Sequence, residues 1–218
     1  MTKVELYAFV NNLRNNLYLY NSYPISSKAI ASRYSEITIE EIDFSDTRIG
    51  GVLMKGNKCS FIGLNSCRNY YEQNFDCMHE LIHFWKHPLN EYTCYSIPRN
   101  SYLEWEANEG AAEMLVPYYK FIPEVYELYR YICNTQQPID YLTHLAERYF
   151  VTPRVIQLRI NSLSYELSQY ASGVPLNNLR IISKKCQERL GINIPDFSIR
   201  LDFNCELEWN AVIGNGRC

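Results

Sequence analysis

The sequence predicts an α+β fold, in which a small antiparallel or mixed sheet of about three strands packs on two helices and a helical region follows. Three observations predict it. The run at 36–44 alternates apolar and polar side chains, as strands do. The pair Gly56-Asn57 between two of these runs is a turn signal. Apolar residues at helical spacing recur before this region and after it.

The part of the chain before residue 70 is predicted to hold two helices and three strands. Apolar side chains recur at three- and four-residue steps from Leu6 to Leu17, which indicates a helix. In chain order, the predicted elements are helices at 3–20 and 27–34 and strands at 36–44, 49–55 and 59–64. The last two strands form a β-hairpin. We expect the strand at 59–64 to be an edge strand of the sheet.

The next predicted helix, at 70–86, carries a spacing typical of a metal site. It contains His79-Glu80-Leu81-Ile82-His83, the pattern HExxH. Two imidazoles four residues apart lie on one face of a helix, so both can reach one metal ion. The carboxylate of Glu80 can then reach a metal-bound water as a general base. The alternative is a helix with two exposed or hydrogen-bonded histidines.

A catalytic zinc ion needs a third protein ligand and an open position for water. The only other histidines are His87 and His144. His87 lies on the same helix, and three ligands in a row along a straight helix cannot converge on one ion. A carboxylate from the next predicted helix, at 102–115 and opened by a capping box at Ser101, is therefore favoured.

That helix offers four carboxylates, at Glu104, Glu106, Glu109 and Glu113. Glu104 follows His83 by 21 positions (104 − 83), enough for a loop to bring the second helix across the first. Asn108 would lie on the same face as Glu104, where it could hydrogen-bond a ligand histidine and fix its tautomer. Glu106 points away from that face and is the weaker candidate. A solvated acidic helix face is the alternative.

The two segments together resemble the ImmA/IrrE family of gluzincin-like metallopeptidases. The first segment is HExxH at 79–83, with Phe75 upstream. The second is Glu104-Trp105-Glu106-Ala107-Asn108, followed by AAEMLVP at 111–117, which is similar to the family's usual AAxLLMP ending. The similarity covers about residues 36–163. By this resemblance, His79, His83 and Glu104 would bind Zn²⁺ and Glu80 would be the catalytic base.

Two positions depart from the family's pattern. Gly110 stands where an aromatic residue is usual, and Ile82 replaces the common glycine before the second histidine. We expect the first change to loosen helix packing and the second to add bulk near the metal. Neither change removes a ligand.

The resemblance implies a zinc-dependent endopeptidase with one protein target. Family members typically act on a helix-turn-helix repressor, whose cleavage or displacement relieves repression. An edge strand commonly aligns the substrate of a zinc peptidase by main-chain pairing. The alternative is a non-cleaving zinc-containing regulatory module that binds a repressor or DNA, although the intact Glu80 favours the enzyme. The sequence does not determine the oligomeric state.

Residues 139–163 resemble a helix-turn-helix, with two helices joined by a tight turn at 150–152. Local positive charge would come from Arg148, Arg154 and Arg159. The alternative is a helical pair packed on the protease domain. Direct DNA binding has little support, because the net charge of −3 gives no overall attraction to nucleic acid. In chain order, the predicted helices after residue 117 lie at 123–133, 139–150 and 153–167.

We therefore expect three parts: a zincin-like metallopeptidase domain at 1–120, a helical, helix-turn-helix-like region at 121–171, and a C-terminal extension at 172–218 of unknown role. One or two strands are expected within 197–209. The sequence has no long apolar run and no signal-peptide pattern, which indicates a cytoplasmic protein without a membrane span.

The eight cysteines form no CxxC pair, which argues against a structural zinc site. Most are expected to be reduced thiols, several of them buried. A Cys77–His79 catalytic pair is not expected, because residues two apart on a helix point to different faces.

Overall fold

The computed structural model describes residues 1–19, 23–46, 48–87, 101–135, 140–195, 197 and 201. The fold is α+β, as the sequence predicts. Residue contacts divide it into two compact units. The site unit comprises Leu6–Leu115 and Ala146–Thr152, and the helical unit comprises Met1–Glu5, Val116–Leu145 and the described part of Pro153–Cys218. The expected domains at 1–120, 121–171 and 172–218 stay a prediction.

A three-stranded mixed sheet lies in the site unit. Its strands are β1 (Ile37–Ile42), β2 (Gly51–Lys55) and β3 (Ser60–Asn65). Their order is β1-β3-β2, with β3 parallel to β1 and antiparallel to β2. The predicted hairpin is thereby confirmed, and across its turn the Gly56 N–H donates to the Cys59 carbonyl at 3.0 Å.

The expectation of an edge strand at 59–64 is wrong, because β3 is the central strand of the sheet. Every β3 residue except Phe61 is buried. A strand that is buried on both faces carries a near-continuous apolar run rather than an alternating one, and Phe61-Ile62-Gly63-Leu64 is such a run. In the described chain β2 pairs on one side only, so β2 is an edge strand.

Helices make up most of the remaining described chain. In chain order they are α1 (Lys3–Asn16), α2 (Ser27–Ala31), α3 (Tyr70–Lys86), α4 (Ser101–Leu115), α5 (Tyr118–Thr135), α6 (Tyr141–Tyr149), α7 (Pro153–Ser162), α8 (Ser164–Ala171) and α9 (Lys184–Arg189). The predicted motif helix at 70–86 is confirmed as α3. The Ser101 side chain, on which the predicted capping box depends, lies outside the described residues. None of the helices described is long and apolar enough to cross a membrane.

Several predicted helix boundaries are wrong. The first helix ends at Asn16 rather than at residue 20, and Tyr18 follows it with a φ of 56°. The second helix ends at Ala31 rather than at residue 34.

The helix expected from Pro123 begins at Tyr118, because the Pro117 carbonyl accepts the N–H groups of Lys120 and Phe121 at 3.1 and 3.0 Å, and Pro123 removes a single backbone donor from the helix.

The helix expected at 153–167 divides at Leu163. Here the Ser164 hydroxyl donates to the Ile160 carbonyl at 3.0 Å, which competes with the backbone hydrogen bond of a continuous helix.

The predicted turn at 150–152 joins α6 to α7. Phe150 has a φ of 61°, and the Val151 N–H donates to the Ala146 carbonyl at 3.0 Å, which closes the end of α6. Arg148 and Arg154 are exposed. Arg159 is 1% exposed and its Nε donates to the Val116 carbonyl at 3.0 Å, so the expected contribution of Arg159 to surface charge is wrong.

The helical unit is held together partly by buried charge. Lys3 and the Glu166 carboxylate pair at 3.0 Å, and Lys3 also donates to the Ser162 carbonyl at 2.8 Å. The Ile182 N–H donates to the same carboxylate at 3.2 Å. The sequence did not predict α9, which lies in the extension of unknown role. The strands expected within 197–209 fall almost entirely outside the described residues.

α3 is capped at its N-terminus by Asn69 and buries one face. The Asn69 side chain accepts from the Glu72 N–H at 3.0 Å, and the Glu72 carboxylate accepts from the Asn69 N–H at 2.9 Å, a reciprocal capping box. The buried face then carries apolar side chains at helical spacing, all of them 0% exposed: Cys77, Met78, Leu81 and Ile82.

Asn74 ties α3 to two other segments of the site unit. Its side-chain carbonyl accepts from the Ser27 N–H at 2.8 Å. Its amide donates to the carbonyls of Ile25 and Phe150 at 3.0 and 2.9 Å. Because Asn74 is buried, these three backbone groups depend on it for hydrogen bonds that water would otherwise supply.

Ile82 and Gly110, the two residues that depart from the family's pattern, lie next to each other between α3 and α4. A Cβ atom placed on Gly110 would lie 3.2 Å from Cγ2 of Ile82. Both residues are buried. The Ile82 side chain thus fills the space beside Gly110 that would otherwise have loosened the packing of the two helices.

We predict that Asn74→Ala lowers the free energy of unfolding by about 3 kcal/mol, because truncation leaves buried backbone groups without partners. Urea denaturation measures this change. Asn15→Ala, at an exposed position of α1, is the control and should cost no more than about 0.5 kcal/mol. Equal losses in the two variants would show that the Asn74 contacts do not hold α3 in place.

A second prediction concerns the exchange of size between positions 82 and 110. Gly110→Phe should destabilise the protein by about 3 kcal/mol, because the ring would need the space that Ile82 fills. Adding Ile82→Gly should recover at least about 1 kcal/mol relative to the sum of the two single losses. Ile30→Gly, at a buried position of α2, is the control partner and should recover nothing. Thermal or urea unfolding of all five variants measures these losses. If the losses in stability were additive in both double variants, Ile82 and Gly110 would not share the same space.

Candidate metal centre

The three residues proposed as metal ligands come together in the site unit. His79 and His83 project from α3, and Glu104 projects from the first turn of α4. Their donor atoms all lie within 4.8 Å of one another. The two histidine Nε2 atoms are 3.1 Å apart, and they lie 3.5 Å (His79) and 3.7 Å (His83) from the Glu104 carboxylate oxygens. The two imidazoles of α3 and the carboxylate of α4 thus face one another around a common point.

These distances fit a tetrahedral zinc ion. Zinc–nitrogen and zinc–oxygen bonds of about 2.0–2.2 Å at tetrahedral angles place neighbouring donor atoms about 3.3–3.6 Å apart. The two Nε2 atoms are 3.1 Å apart, His79 Nε2 is 3.5 Å from one Glu104 oxygen, and His83 Nε2 is 3.7 Å from the other oxygen, all close to that range. Two imidazole nitrogens and one carboxylate are a donor set found in catalytic zinc sites, which keep a fourth position for water.

Asn108 contacts the second ring nitrogen of His79. The His79 Nδ1 lies 3.1 Å from the Asn108 side-chain oxygen. An amide oxygen only accepts, so Nδ1 carries the proton and donates it. The neutral imidazole then has its lone pair on Nε2, the atom that faces His83 and Glu104. The contact between Asn108 and a histidine of the pair is the one that the sequence suggested.

The carboxylates around His79 also affect its pKa. Burial lowers the pKa of His79, but the hydrogen bond to Glu104, together with the charges of Glu80 and Glu104, outweighs burial. The net result is a pKa above the usual value for histidine. A cation is therefore favoured at this position, whether it is a proton or a metal ion.

Glu80 lies between α3 and the start of β2. It is 8% exposed. A Cβ atom on Gly51 would lie 3.2 Å from its Cγ and 3.4 Å from its Oε1. Glycine at position 51 thus allows the edge strand to run close to the carboxylate. This places a candidate general base next to a strand that is an edge strand within the described residues.

A pocket of about 480 Å³ adjoins the cluster. Three of the four residues of the proposed catalytic and ligand set line it, as does Asn108. The full lining is Asp46, Arg48, Ile49, Gly50, Gly51, Arg68, Phe75, Asp76, His79, Glu80, Glu104 and Asn108. Phe75, the residue upstream of HExxH in the resemblance, therefore lies in the wall of the pocket.

One wall of the pocket is fixed by an ion pair that the sequence did not reveal. Arg68 and Asp76 approach to 2.9 Å. Burial raises the pKa of Asp76, while the Arg68 charge opposes the rise. A Cβ atom on Gly50 would overlap the Asp76 carboxylate. The absence of a side chain at Gly50 lets β2 begin directly beside α3.

His87 lies behind His83 rather than at the cluster. The two Nδ1 atoms are 2.8 Å apart, and the His87 Nε2 is 3.0 Å from the Glu106 carboxylate. Burial lowers the pKa of His87, although Glu106 acts in the opposite direction. In the sequence, His87 and Glu106 stood out only as possible ligands, and this contact between them was not predicted. The i+4 spacing from His83 was the available signal.

The acidic residues of α4 do not form a solvated face, so that alternative is wrong. Glu106, Glu109 and Glu113 are all buried. The Tyr7 hydroxyl donates to Glu109 at 2.5 Å, and Lys86 pairs with Glu106 at 3.2 Å. Glu104 is more exposed than these three, with a side chain 24% exposed, and it faces the pocket.

The cysteines that the structure describes, and His144, take no part in the cluster. Cys77 is buried, and burial raises the pKa of its thiol to about 12, which leaves it without nucleophilic character at neutral pH. Cys59 and Cys67 are exposed, and Cys133 and Cys186 are partly exposed, so among the described cysteines only Cys77 is buried. His144 is exposed in the helical unit.

Comparison with known families agrees with this geometry. Residues 32–161 match the family model Peptidase M78, described as the IrrE N-terminal-like domain. No curated protein matches the chain as a relative. The matched span covers more than half of the 218 residues and contains the sheet, α3, α4 and all of the candidate site residues. The chain therefore belongs to the Peptidase M78 family, the ImmA/IrrE metallopeptidases.

Proposed function

We propose that the protein is a zinc-dependent endopeptidase. The convergence of the donor atoms of His79, His83 and Glu104 within 4.8 Å, beside Glu80, carries this proposal. Family membership supports the class of reaction. Zinc is the proposed ion because two imidazoles and one carboxylate suit it better than they suit Mg²⁺ or Ca²⁺, which prefer oxygen ligands.

The chain's own residues supply the other parts of peptide hydrolysis. Zinc, when bound, would polarise the scissile carbonyl and lower the pKa of a water molecule. Glu80 accepts a proton from the attacking water and passes it to the leaving amine. Asn108 keeps the proton of His79 on Nδ1, so that Nε2 remains a donor atom. The buried position of Glu80 strengthens its interactions with charge in the pocket.

The edge strand offers a way to align a peptide. β2 starts at Gly51, and both Gly50 and Gly51 line the pocket. An extended peptide can add to the free edge of a sheet through main-chain hydrogen bonds. Such a peptide on β2 would pass beside Glu80, because Gly51 packs against that carboxylate. β2 thus takes the role that the sequence had suggested for 59–64.

The target that we propose is a helix-turn-helix transcriptional repressor in the cytoplasm, whose cleavage relieves repression. Support comes from the resemblance of HExxH and the α4 motif to the ImmA/IrrE family, and from family membership. Direct DNA binding is not part of the proposal. The burial of Arg159 removes one of three cations from α6 and α7, and the net charge of the chain is −3.

We predict that the wild-type protein binds one zinc ion. The substitutions His79→Ala, His83→Ala and Glu104→Ala should each severely lower the affinity for zinc. Loss of a residue that binds the ion should lower the zinc affinity by more than the roughly 10- to 100-fold expected for loss of a residue that only hydrogen-bonds to a ligand. Competition with a chromophoric chelator measures the affinity. His144→Ala, which removes an exposed histidine, should bind zinc as the wild type does. A wild type that binds no zinc would remove the metal centre from the proposal.

Glu80→Gln tests catalysis separately from metal binding. The variant should retain zinc, but cleavage of a helix-turn-helix repressor encoded beside this protein should slow by at least about 10²-fold, because the amide cannot accept the proton. Mass spectrometry of the products over time measures the rate and locates the cut bond. His144→Gln is the matched control and should cleave at the wild-type rate.

Two results would contradict this assignment in different ways. Cleavage that persists in Glu80→Gln would show that another residue is the general base. A wild-type protein that binds zinc and the repressor and relieves repression without cutting would instead identify the non-cleaving regulatory module. A repressor-binding assay on the same samples distinguishes that module from a protein with a different target.

A further inference from the structure

A chain of buried hydrogen-bonding groups runs behind His83, on the side away from Glu104. The ring of His83 contacts His87 through the two Nδ1 atoms at 2.8 Å. The other nitrogen of His87 lies 3.0 Å from Glu106. His83, His87 and Glu106 are 8%, 3% and 2% exposed, so water does not compete strongly for these contacts.

The direction of each hydrogen bond follows from the carboxylate. Lys86 contacts the same Glu106 oxygen at 3.2 Å, so this oxygen accepts from both neighbours. His87 must therefore carry its proton on Nε2, and its Nδ1 then holds a lone pair. The Nδ1 of His83 is left as the donor in the Nδ1–Nδ1 contact. His83 then keeps its Nε2 unprotonated, and this is the atom that faces His79 and Glu104.

We propose that His87 and Glu106 are positioning residues that fix the tautomer and the ring orientation of His83. The proposal rests on the proposed metal site and adds to it the means by which one ligand is held. His87 acts through His83 and Glu106 acts through His87, since neither belongs to the group of converging donor atoms. Outer partners of this kind orient ligand histidines and raise their basicity.

The two histidines are held in different ways. His79 donates to the amide of Asn108, which is exposed. Water can replace that acceptor when Asn108 is removed. His83 donates into a buried pair that ends in a carboxylate, where water cannot readily substitute. The loss of His87 should therefore weaken zinc binding more than the loss of Asn108 does.

The first test uses the wild-type protein loaded with zinc. Nitrogen-15 NMR of the imidazole rings distinguishes protonated, unprotonated and metal-bound nitrogens. We expect the His83 proton on Nδ1 and the His87 proton on Nε2. A proton on the Nδ1 of His87 would reverse the hydrogen bond and overturn the proposal. This readout requires no cleavage, so it stands apart from the proposed peptidase activity.

The second test compares two replacements of His87 of similar size. Gln can accept from His83 and donate to Glu106, whereas Leu can do neither. At one neutral pH, His87→Leu should weaken zinc binding by about 10- to 100-fold, and His87→Gln should recover much of that loss. Asn108→Ala should lose less affinity than His87→Leu. Chelator competition measures the affinities, and the Co²⁺ absorption spectrum reports the ligand geometry.

Matched controls separate positioning from packing. His144→Leu removes an exposed histidine, and Glu109→Gln neutralises a buried carboxylate of α4 that contacts Tyr7 instead. Both should bind zinc within about twofold of the wild type, whereas Glu106→Gln should not. Equal affinities for His87→Leu and His87→Gln would show that the residue only fills space. If His87→Leu fails to fold, Glu106→Gln and the wild-type NMR data still decide the matter.

The proposed peptidase activity and the proposed positioning role are contradicted by different experimental results. A wild type that binds zinc with the expected tautomers but cuts no repressor would leave the positioning role intact and remove the proposed activity. If the wild type cuts a repressor while His87→Leu keeps full zinc affinity, the peptidase activity is supported and the positioning role is contradicted. A wild type that binds no zinc would overturn both.

Discussion

The candidate centre depends on the close approach of α3 and α4. Two donors come from α3 and the third from α4, so the distances of 3.5 and 3.7 Å between Glu104 and the two histidines exist only while the helices stay in register. Ile82 and Gly110 meet where these helices pack. A small residue on one helix lets a larger one on the other enter, which is how ridges and grooves fix a helix crossing. The packing of Ile82 against Gly110 thus contributes to the approach of the two helices that the site needs.

Apart from the approach of Glu104 and Asn108 to the histidines of α3, the features that the sequence predicted depend on local spacing. HExxH fixes two side chains on one helix face, whatever surrounds the helix. The Gly56-Asn57 turn forms a hairpin from its own residues, and the turn at 150–152 is closed by Phe150 and its neighbours. The Glu104/Asn108 spacing belongs to the same class. These contacts span few residues along the chain, so their geometry can be derived before the fold is known.

The features that were missed depend on pairing across long stretches of sequence. Whether β3 is central or at the edge is decided by the parallel β1, whose pairing no hairpin signal reveals. The burial of Arg159 is decided by the carbonyl of Val116, 43 residues away in the chain. The contact of His87 with Glu106 requires α3 and α4 to be packed first. Charged residues of this kind look solvent-exposed in a sequence, because their partners are distant.

The two sides of the candidate centre differ in how far water can reach them. Glu104 and Asn108 lie beside a pocket, and Asn108 is exposed. His87 and Glu106 are buried behind His83. A buried hydrogen bond is stronger and harder to exchange than one in contact with water, and an unpaired buried group is costly. The hydrogen bond of His79 to Asn108 is therefore open to exchange with water, whereas the contact of His83 with His87 is not readily exchanged. Water thus competes for the contact that holds one histidine of the pair but not for the contact that holds the other.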